Sequence, residues 1–182
     1  MIHKRLSSYW LSTTVYLLML HAYVGMGSNL GDRAGHLLLG VRGMVAAGFR
    51  VLRLSAVYET EPVGVGEAQP AYLNAVAELD GRDLPAPEQL LARLLRIEYA
   101  QGRRRGRPLA PRTLDLDLLL YGGARVETPL VTLPHPRLHL RRFVLAPLAE
   151  LVPDARHPTL KQTFAELLAS LDDAASVRVW KP

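Results

Sequence analysis

The chain has 182 residues and a mass of 20.1 kDa, which is the size of a single domain. Hydrophobic residues make up 49% and charged residues 21%, a composition that favours a packed core over disorder. Cysteine is absent, which excludes a disulfide framework, a thiolate metal site and a cysteine nucleophile. The net charge is +5, and because three of the 22 basic residues are lysines, the other 19 are arginines. Arginine pairs well with phosphate or carboxylate, so the composition indicates an anionic partner, either a phosphorylated small molecule or nucleic acid.

The first residues of the chain differ in pattern from the rest. The apolar segment 15–26 is interrupted by His21 and is shorter than the roughly 20 residues that a membrane-spanning helix needs. A charged start before an apolar segment also fits a signal peptide, but no small-residue cleavage site follows. We expect residues 1–18 to be an N-terminal extension, with Met19 as an alternative start. We expect one domain over residues 19–182, located in the cytoplasm and without membrane binding.

The remaining residues predict alternating strands and helices. Strands are predicted over residues 22–27, 49–58, 72–79 and 113–121. Helices are predicted within residues 30–47, from Pro87 onward, and over 142–151 and 163–171. Glycine, proline or arginine is abundant in residues 61–70 and 102–111, which are therefore predicted to be loops.

This order of elements is βαββαβ followed by an extra C-terminal helical segment. It is typical of a ferredoxin-like α+β fold, in which an antiparallel sheet has helices packed on one face.

The most specific local pattern is Asp115-Leu116-Asp117 in the last predicted strand. Because side chains alternate along a strand, Thr113, Asp115 and Asp117 are predicted to share one face. The leucines at 114, 116, 118 and 120 are predicted to share the other face, in the core. Carboxylates two residues apart lie roughly 6–7 Å from each other and repel unless a cation binds between them. Oxygen ligands of this kind suit Mg²⁺, although a solvated strand face carrying two ordinary acids matches the same pattern.

An arginine-rich loop precedes this strand. It contains no acidic residue among Arg103, Arg104, Arg105, Arg107 and Arg112. The loop is either a solvated basic segment or a phosphate clamp that faces the two acids. Carboxylates, a metal ion and arginines together are the groups that phosphoryl transfer uses. The chain has no P-loop, dinucleotide-binding fingerprint or serine nucleophile elbow.

Two polar residues outside this loop are further candidates. Asn74 lies in a predicted strand, on the same face as Tyr72, and its amide can pair with the edge of a heterocycle. It can equally be an edge-strand asparagine with a structural hydrogen bond. His135 lies between two prolines and is either a loop residue without a task or a phosphate or acid–base group.

Several motifs, in this order and spacing, resemble the 6-hydroxymethyl-7,8-dihydropterin pyrophosphokinases of folate biosynthesis. The resemblance extends from about residue 22 to residue 158. The motifs are YVGMGSNLG from Tyr23, YETEPVG from Tyr58, QPAYLNA from Gln69, IE from Ile97, QGR from Gln101, PRTLDLD from Pro111 and LPHPR from Leu133.

The resemblance implies transfer of the β,γ-pyrophosphate of ATP to the pterin hydroxymethyl group, with release of AMP. It implies two Mg²⁺ ions, held by Asp115 and Asp117, and a monomer that acts on small molecules and not on nucleic acid. By resemblance, the pterin is bound by Thr60, Val63, Tyr72, Asn74 and Phe143. The ATP contacts that it implies are Glu98, Arg105, Arg112, Leu118, Thr132, His135 and Arg141. Arg103 and Arg112 are the implied catalytic arginines, and Asp117 is the candidate base.

Two other functions compete with this interpretation. Ferredoxin-like sheets can bind RNA through aromatic residues on the sheet face, and the basic composition fits such a role. However, no aromatic-rich strand is present, and two acids on the binding face would repel phosphate. The other alternative is a pyrophosphokinase fold that serves as a protein-interaction module, which the retained acids and arginines disfavour.

Overall fold

Eight strands and four α-helices form the part of the chain that the computed structural model describes, residues 21–62, 69–104, 110–173 and 175–182. The strands are β1 (His21–Ser28), β2 (Val51–Leu54), β3 (Tyr58–Thr60), β4 (Tyr72–Asp80), β5 (Asp115–Tyr121), β6 (Val126–Glu127), β7 (Thr132–Leu133) and β8 (Val177–Val179). The α-helices are α1 (Arg33–Ala46), α2 (Pro87–Ala100), α3 (Arg142–Leu151) and α4 (Phe164–Ser170). Short 3₁₀ turns occur at Gly81–Asp83 and Leu138–Leu140. The prediction for residues 1–18 lies outside the described residues.

Strands β1 to β5 and β8 form one six-stranded sheet, and β6 and β7 form a separate two-stranded ribbon. The order in the large sheet is β5-β1-β4-β3-β8, and β2 also pairs with β4. All of these pairs are antiparallel, and β1 lies between β4 and β5. The predicted α+β class and ferredoxin-like order of elements are therefore confirmed.

Local signals explain where three of the helices begin. The Asp32 side chain accepts a hydrogen bond from the Gly35 backbone N–H (2.9 Å) at the start of α1. Helix α2 has Pro87 in its first turn, where no intrahelical donor is needed. Helix α4 has a capping box between Thr163 and Glu166. Each of these signals can be read from the sequence, which is why the helix starts agree with the prediction.

The strand predicted over residues 49–58 is divided into β2 and β3. Ser55 lies at the break, where its backbone N–H donates to the Val76 carbonyl (2.9 Å). Its Oγ accepts the Val76 N–H (2.9 Å) in place of a backbone carbonyl. The segment expected to be only helical after residue 121 also contains strands, because β8 pairs with β3 and β6 pairs with β7. These strands have two or three residues each, which is too short for a clear alternation of side chains.

Helices cover both faces of the sheet, whereas the pattern predicted helices on one face. Helices α1 and α2 pack on the first face, and α3 and α4 pack on the second. The first core cluster includes Val24, Met26, Leu37, Met44, Leu90, Leu94 and Leu116. The second includes Tyr23, Val76, Leu119, Val144, Leu145, Leu148 and Phe164.

The four leucines in and just before β5 that were predicted to share one face do not all do so. Leu114, Leu116 and Leu118 belong to the first core cluster, but Leu120 belongs to the second. The cause is a register shift between β1 and β5, because Leu118 pairs with Val24 while Leu120 pairs with Tyr23. An extra residue in one strand of a pair reverses the faces beyond it. The prediction for Leu120 was therefore wrong.

None of the helices in the described ranges is long and apolar enough to cross a membrane.

A buried histidine in the second core makes the stability of the fold depend on pH. The His157 side chain accepts hydrogen bonds at Nδ1 from the backbone N–H groups of Thr159 and Leu160 (3.2 Å each), and the residue is 4% exposed. Burial, and to a smaller extent the neighbouring His139, lowers the pKa of His157 to about 4. The unfolded chain, with an ordinary histidine pKa near 6.5, therefore binds this proton at a higher pH than the folded chain does.

We expect the free energy of unfolding to decrease as the pH falls from about 6.5 to about 4, by up to about 1.4 kcal/mol per pH unit from this group. In His157→Asn the slope over this range should be smaller, because the side chain cannot take up the proton. Urea unfolding at several pH values measures both slopes. Equal slopes for the variant and the wild type would contradict the assignment, whatever the loss of stability at pH 7.

Candidate functional site

A cavity of about 610 Å³ opens on the second face of the sheet, beside helix α3. Its floor comes from three neighbouring strands, β4, β1 and β5, and its far wall comes from α3 and the residues after α4. Of the predicted site residues, the cavity wall brings together Thr60, Tyr72, Asn74, Arg112, Asp115, Asp117, Arg141 and Phe143.

Two glycines of β1 keep the middle of the floor open. Gly27 pairs with Asn74 on one side and Asp115 on the other, and Gly25 pairs with Asp117 across the β5 ladder. A Cβ atom at Gly27 would lie 3.2 Å from the Asn74 Oδ1 atom and 3.8 Å from the Asp115 Cβ atom. Any larger residue there would fill the space between the amide and the carboxylates.

The predicted carboxylate pair lies on the cavity face of β5, and its two members have different surroundings. Asp115 forms ion pairs with Arg103 and with Arg112, whose Nε atom is 3.3 Å from Oδ2. The Asp117 carboxylate makes no hydrogen bond or ion pair within the described residues. Burial, and then the charge of Asp115, raises the pKa of Asp117 to about 6. One negative charge is thus compensated by arginines, and the other is compensated by no direct partner.

This pair of side chains fits a magnesium site that is completed by a ligand. Mg²⁺ is commonly held by one or two carboxylates together with substrate phosphates and water. Within the described ranges, no cluster of three or more histidine or acidic side chains is positioned to hold a metal. Asp115 and Asp117 are the carboxylates that lie together on β5 in this cavity, and a carboxylate without a direct partner, such as that of Asp117, is the kind of group that a divalent cation would stabilise.

Two aromatic rings and an amide lie on the side of the cavity opposite β5. Tyr72 begins β4 and Phe143 lies in the first turn of α3. Asn74 donates a hydrogen bond from Nδ2 to Thr60 Oγ1 (2.7 Å), and both residues are buried. The strand asparagine predicted from the sequence is therefore held by β3 while its Oδ1 remains available to accept a hydrogen bond.

Each ring also has an arginine near its face. The Arg112 guanidinium lies 5.3 Å from the centre of the Tyr72 ring, and that of Arg141 lies 5.5 Å from the Phe143 ring. These distances are within the range of cation–π contacts. The arginines thus connect the aromatic part of the cavity with its acidic part.

His135 lies beside this arginine group. Its Nδ1 accepts a hydrogen bond from the Arg137 backbone N–H (3.2 Å), and its own backbone N–H donates to the Leu119 carbonyl (2.9 Å). Burial and the charges of Arg141 and Arg137 lower the pKa of His135 to about 4. The ring is therefore neutral near pH 7, with its proton on Nε2, so it can donate a hydrogen bond without adding positive charge.

Several predicted residues do not line the cavity. Glu98 is buried on α2, where its carboxylate accepts the Leu116 N–H (2.8 Å) and lies 3.5 Å from Arg103. The Leu118 side chain packs in the first core, on the opposite face of the sheet, and Thr132 is exposed on β7. Arg103 lies behind Asp115 and also donates to the Leu114 carbonyl (3.1 Å). Val63 and Arg105 are outside the described residues.

The structure adds residues to the cavity that the sequence did not indicate. Arg137 and Leu140 contribute to its rim, as do Asp172 and Asp173. Asp173 also accepts a hydrogen bond from the Arg142 N–H (2.9 Å) at the start of α3. Arg137 belongs to the LPHPR motif but had been given no role, and the acidic pair reaches the cavity only through tertiary packing.

The sequence matches one enzyme family and several of its members over most of its length. The family model described as 7,8-dihydro-6-hydroxymethylpterin-pyrophosphokinase matches residues 23–153. A relative from Methylorubrum extorquens is 42% identical over 162 residues, which cover 88% of this chain and 99% of the relative. One from Bacillus subtilis is 39% identical over 161 residues, covering 88% and 90%. Both are named 2-amino-4-hydroxy-6-hydroxymethyldihydropteridine pyrophosphokinase.

Solved structures show the same fold. A structure described as HPPK-DHPS in complex with substrates has a TM-score of 0.66 at 12% identity and covers 84% of this chain. A Plasmodium falciparum HPPK-DHPS structure has a TM-score of 0.62 at 13% identity and covers 82%. This chain spans 43% and 45% of those two proteins, so the likeness concerns one part of each.

The contrast between the two aspartates predicts opposite effects on stability. With a chelator present at pH 7, Asp117→Asn should increase the free energy of unfolding by on the order of 1–3 kcal/mol, because it removes a partly buried charge that has no direct partner in the described residues. The gain should disappear below about pH 4, because the carboxyl is then protonated in both states; the ionisation of Asp117 lowers stability as the pH rises from about 4, the ordinary pKa in the unfolded chain, to about 6, the pKa in the folded chain.

Asp115→Asn is the matched control for this measurement. It removes the ion pairs with Arg103 and Arg112 and should lower the free energy of unfolding at pH 7. Denaturant unfolding of both variants at pH 4 and pH 7 measures the two effects. A loss of stability at pH 7 in Asp117→Asn would show that its carboxylate has a partner.

Proposed function

Because the chain belongs to the 7,8-dihydro-6-hydroxymethylpterin-pyrophosphokinase family, we propose how its residues divide the work of that reaction. The enzyme transfers pyrophosphate from ATP to the hydroxymethyl group of 6-hydroxymethyl-7,8-dihydropterin, releasing AMP, in folate biosynthesis. Its substrates are thus small molecules, and ATP is the co-substrate. The observation that carries the proposal is a single cavity whose walls have stacking rings at one end and paired carboxylates with arginines at the other.

The pterin binds at the aromatic end of the cavity in this proposal. Tyr72 and Phe143 stack on the ring, and Asn74 pairs with its polar edge. The hydrogen bond from Asn74 to Thr60 supports this role, because it orients the amide before the substrate arrives. We assign Val63 to the pterin pocket from the family resemblance alone.

Asp115 and Asp117 hold two Mg²⁺ ions in the proposal, and the number follows from the family resemblance. When bound, these ions would offset the negative charge of the phosphates. They would also stabilise the charge that develops as the pyrophosphate is transferred. The uncompensated carboxylate of Asp117 supports the site. Asp117 is also the candidate acceptor for the proton of the attacking hydroxyl.

The arginines bind and orient the triphosphate. Arg112 and Arg141 line the cavity beside the carboxylates, and Arg105 is assigned to the same group by resemblance. Arg103 is proposed to act with Arg112 on the phosphate that is transferred. Both form ion pairs with Asp115, so a cation held by this carboxylate would leave their guanidinium groups available to the phosphate oxygens. In-line transfer depends mainly on such positioning and charge compensation.

We propose that the remaining ATP contacts lie around these arginines. His135 donates from Nε2 to a phosphate or to the nucleotide, and Thr132 contacts ATP from the exposed ribbon. Leu118 can contribute only through its backbone, because its side chain lies in the first core. Glu98 supports the site indirectly, through the Leu116 N–H and Arg103. We also propose that the protein is a cytoplasmic monomer and that it binds neither nucleic acid nor membrane.

Product analysis is the direct test of this function. Purified protein should convert ATP to AMP only when both hydroxymethyldihydropterin and Mg²⁺ are present. Asp115→Ala and Asp117→Ala should abolish the reaction while the folded signal in circular dichroism is retained. Chromatography of the nucleotides measures the product. Formation of ADP, or turnover without the pterin, would contradict the reaction, and full activity of either variant would contradict the metal assignment.

Arg103 and its neighbour Arg104 form a matched pair for the role of the arginines. Arg103→Ala should lower kcat by on the order of 100-fold to 1000-fold, with a much smaller change in the Kd of a non-hydrolysable ATP analogue. Arg104 stacks on the Tyr99 ring at 4.2 Å, away from the cavity, so Arg104→Ala should keep kcat near that of the wild type. Steady-state kinetics and analogue titration measure both. Equal kcat values for the two variants would remove Arg103 from the transfer step.

A further inference from the structure

Asn29, which follows β1, connects the two sides of the cavity without lining it. The residue is 1% exposed and is absent from the cavity wall. We propose that Asn29 is a positioning residue that fixes Arg112 and Tyr72 relative to each other. The inference rests on the proposed function, in which Arg112 contacts the phosphates and Tyr72 stacks on the pterin.

The two ends of the Asn29 amide bind different segments of the chain. Its Oδ1 accepts the backbone N–H of Arg112 (2.8 Å), and its own backbone N–H donates to the Arg112 carbonyl (3.1 Å). Its Nδ2 donates to Gln69 Oε1 (3.2 Å) and to the Pro70 carbonyl (3.4 Å). One buried side chain therefore holds the segment just before β5 and the segment just before β4.

These contacts belong to a closed circuit of residues. The Tyr72 hydroxyl donates to the same Gln69 Oε1 (3.5 Å), and the Arg112 guanidinium lies 5.3 Å from the Tyr72 ring centre. The path from Arg112 through Asn29, Gln69 and Tyr72 thus returns to Arg112. A shift of either segment would change the separation between the stacking ring and the phosphate-binding arginine.

Misplacement of this kind affects the reaction more than the fold. An error of about 1 Å in the relative position of reacting groups can lower a rate by on the order of 100-fold. Asn29 uses a donor and an acceptor at once, which only an amide of this length supplies. Asn29→Ala removes both, whereas Asn29→Asp keeps the acceptor for the Arg112 N–H and loses the donor to Gln69 and Pro70.

The two variants should therefore differ in steady-state kinetics of AMP formation. Asn29→Ala should lower kcat by on the order of 10-fold to 100-fold and also raise the KM for the pterin. Asn29→Asp should keep more of kcat than Asn29→Ala does, while its KM for the pterin is raised, because only the connection to the Tyr72 side is lost. Equal reductions of kcat in the two variants, without a change in either KM, would contradict the proposed role.

A structural readout accompanies the kinetics and does not depend on turnover. Hydrogen exchange of the Arg112 backbone amide, measured by NMR, should accelerate in Asn29→Ala and remain close to that of the wild type in Asn29→Asp. Unchanged protection of this amide in Asn29→Ala would overturn the proposal.

Thr113→Val is the matched control, because Thr113 Oγ1 donates a structural hydrogen bond to the Gln101 carbonyl (2.8 Å) next to Arg112. This variant loses one hydrogen bond in the same region but leaves the circuit intact, so kcat and the pterin KM should stay near the wild-type values. A kinetic loss equal to that of Asn29→Ala, at comparable thermal stability, would show that any weakening near Arg112 has this effect.

Failure of the positioning role of Asn29 and failure of the proposed reaction would give different results. If the wild-type protein produced no AMP from ATP and the pterin, the function would fail, while amide exchange would still test whether Asn29 fixes Arg112. If the wild type were active and Asn29→Ala had wild-type kinetics, only the positioning role would be wrong.

Discussion

The site depends on holding two like charges side by side on one strand. Asp115 and Asp117 share the cavity face of β5, and no interposed residue separates their charges on that face. The protein compensates the first with Arg103 and Arg112 and leaves the second in a partly buried position where its ionisation is unfavourable. Protonation of Asp117, or a cation bound beside it, would remove this free energy cost. The proposed metal site is consistent with this arrangement.

The arginines around the two aspartates also have only part of their charge compensated. Arg141 lies near Phe143, and its pKa is lowered by burial and by Arg137. A group of close arginines is itself unfavourable without an anion. The acidic and basic groups of the cavity thus each lack part of their charge compensation, and the proposed metal-nucleotide would supply positive charge to the first and negative charge to the second. The neutral state of His135 follows first from burial, which lowers its pKa, and then from the positive charges of Arg141 and Arg137.

Patterns of residues along one element predicted much of the fold and part of the site. The alternation in β5 placed Asp115 and Asp117 on one face, and helix signals such as Pro87 marked the starts of helices. What failed depended on neighbours distant in sequence. The face of Leu120 is reversed by a register shift against β1, and the division of β2 from β3 depends on Ser55 pairing with Val76. The helix over residues 142–151 was predicted, but the sequence does not state which side of the sheet it covers.

Candidate site residues could be predicted from the sequence where a short local pattern singled them out. Asn74 was singled out as a polar residue within a predicted strand, and the two aspartates by their spacing on one strand face. The roles of Thr60 and Phe143 came only from the family resemblance. Asn29 was present in the GSN motif but gained a meaning only when its amide was seen between Arg112 and Gln69. Glu98 matched an ATP-contact position and is instead seen bonded to the Leu116 N–H, because burial on α2 directs its carboxylate toward β5.

The size of the side chains along β1 determines where core ends and cavity begins. On the second face, Tyr23 packs in the core with Val76 and Leu119, and is followed on that face by Gly25 and Gly27. On the other face, Val24 and Met26 continue the first core without interruption. One strand thus supplies a continuous core on one side and a floor that opens on the other. Because the period of a strand is two, this needs small residues only at alternate positions, and the cavity can form without weakening the packing against α1 and α2.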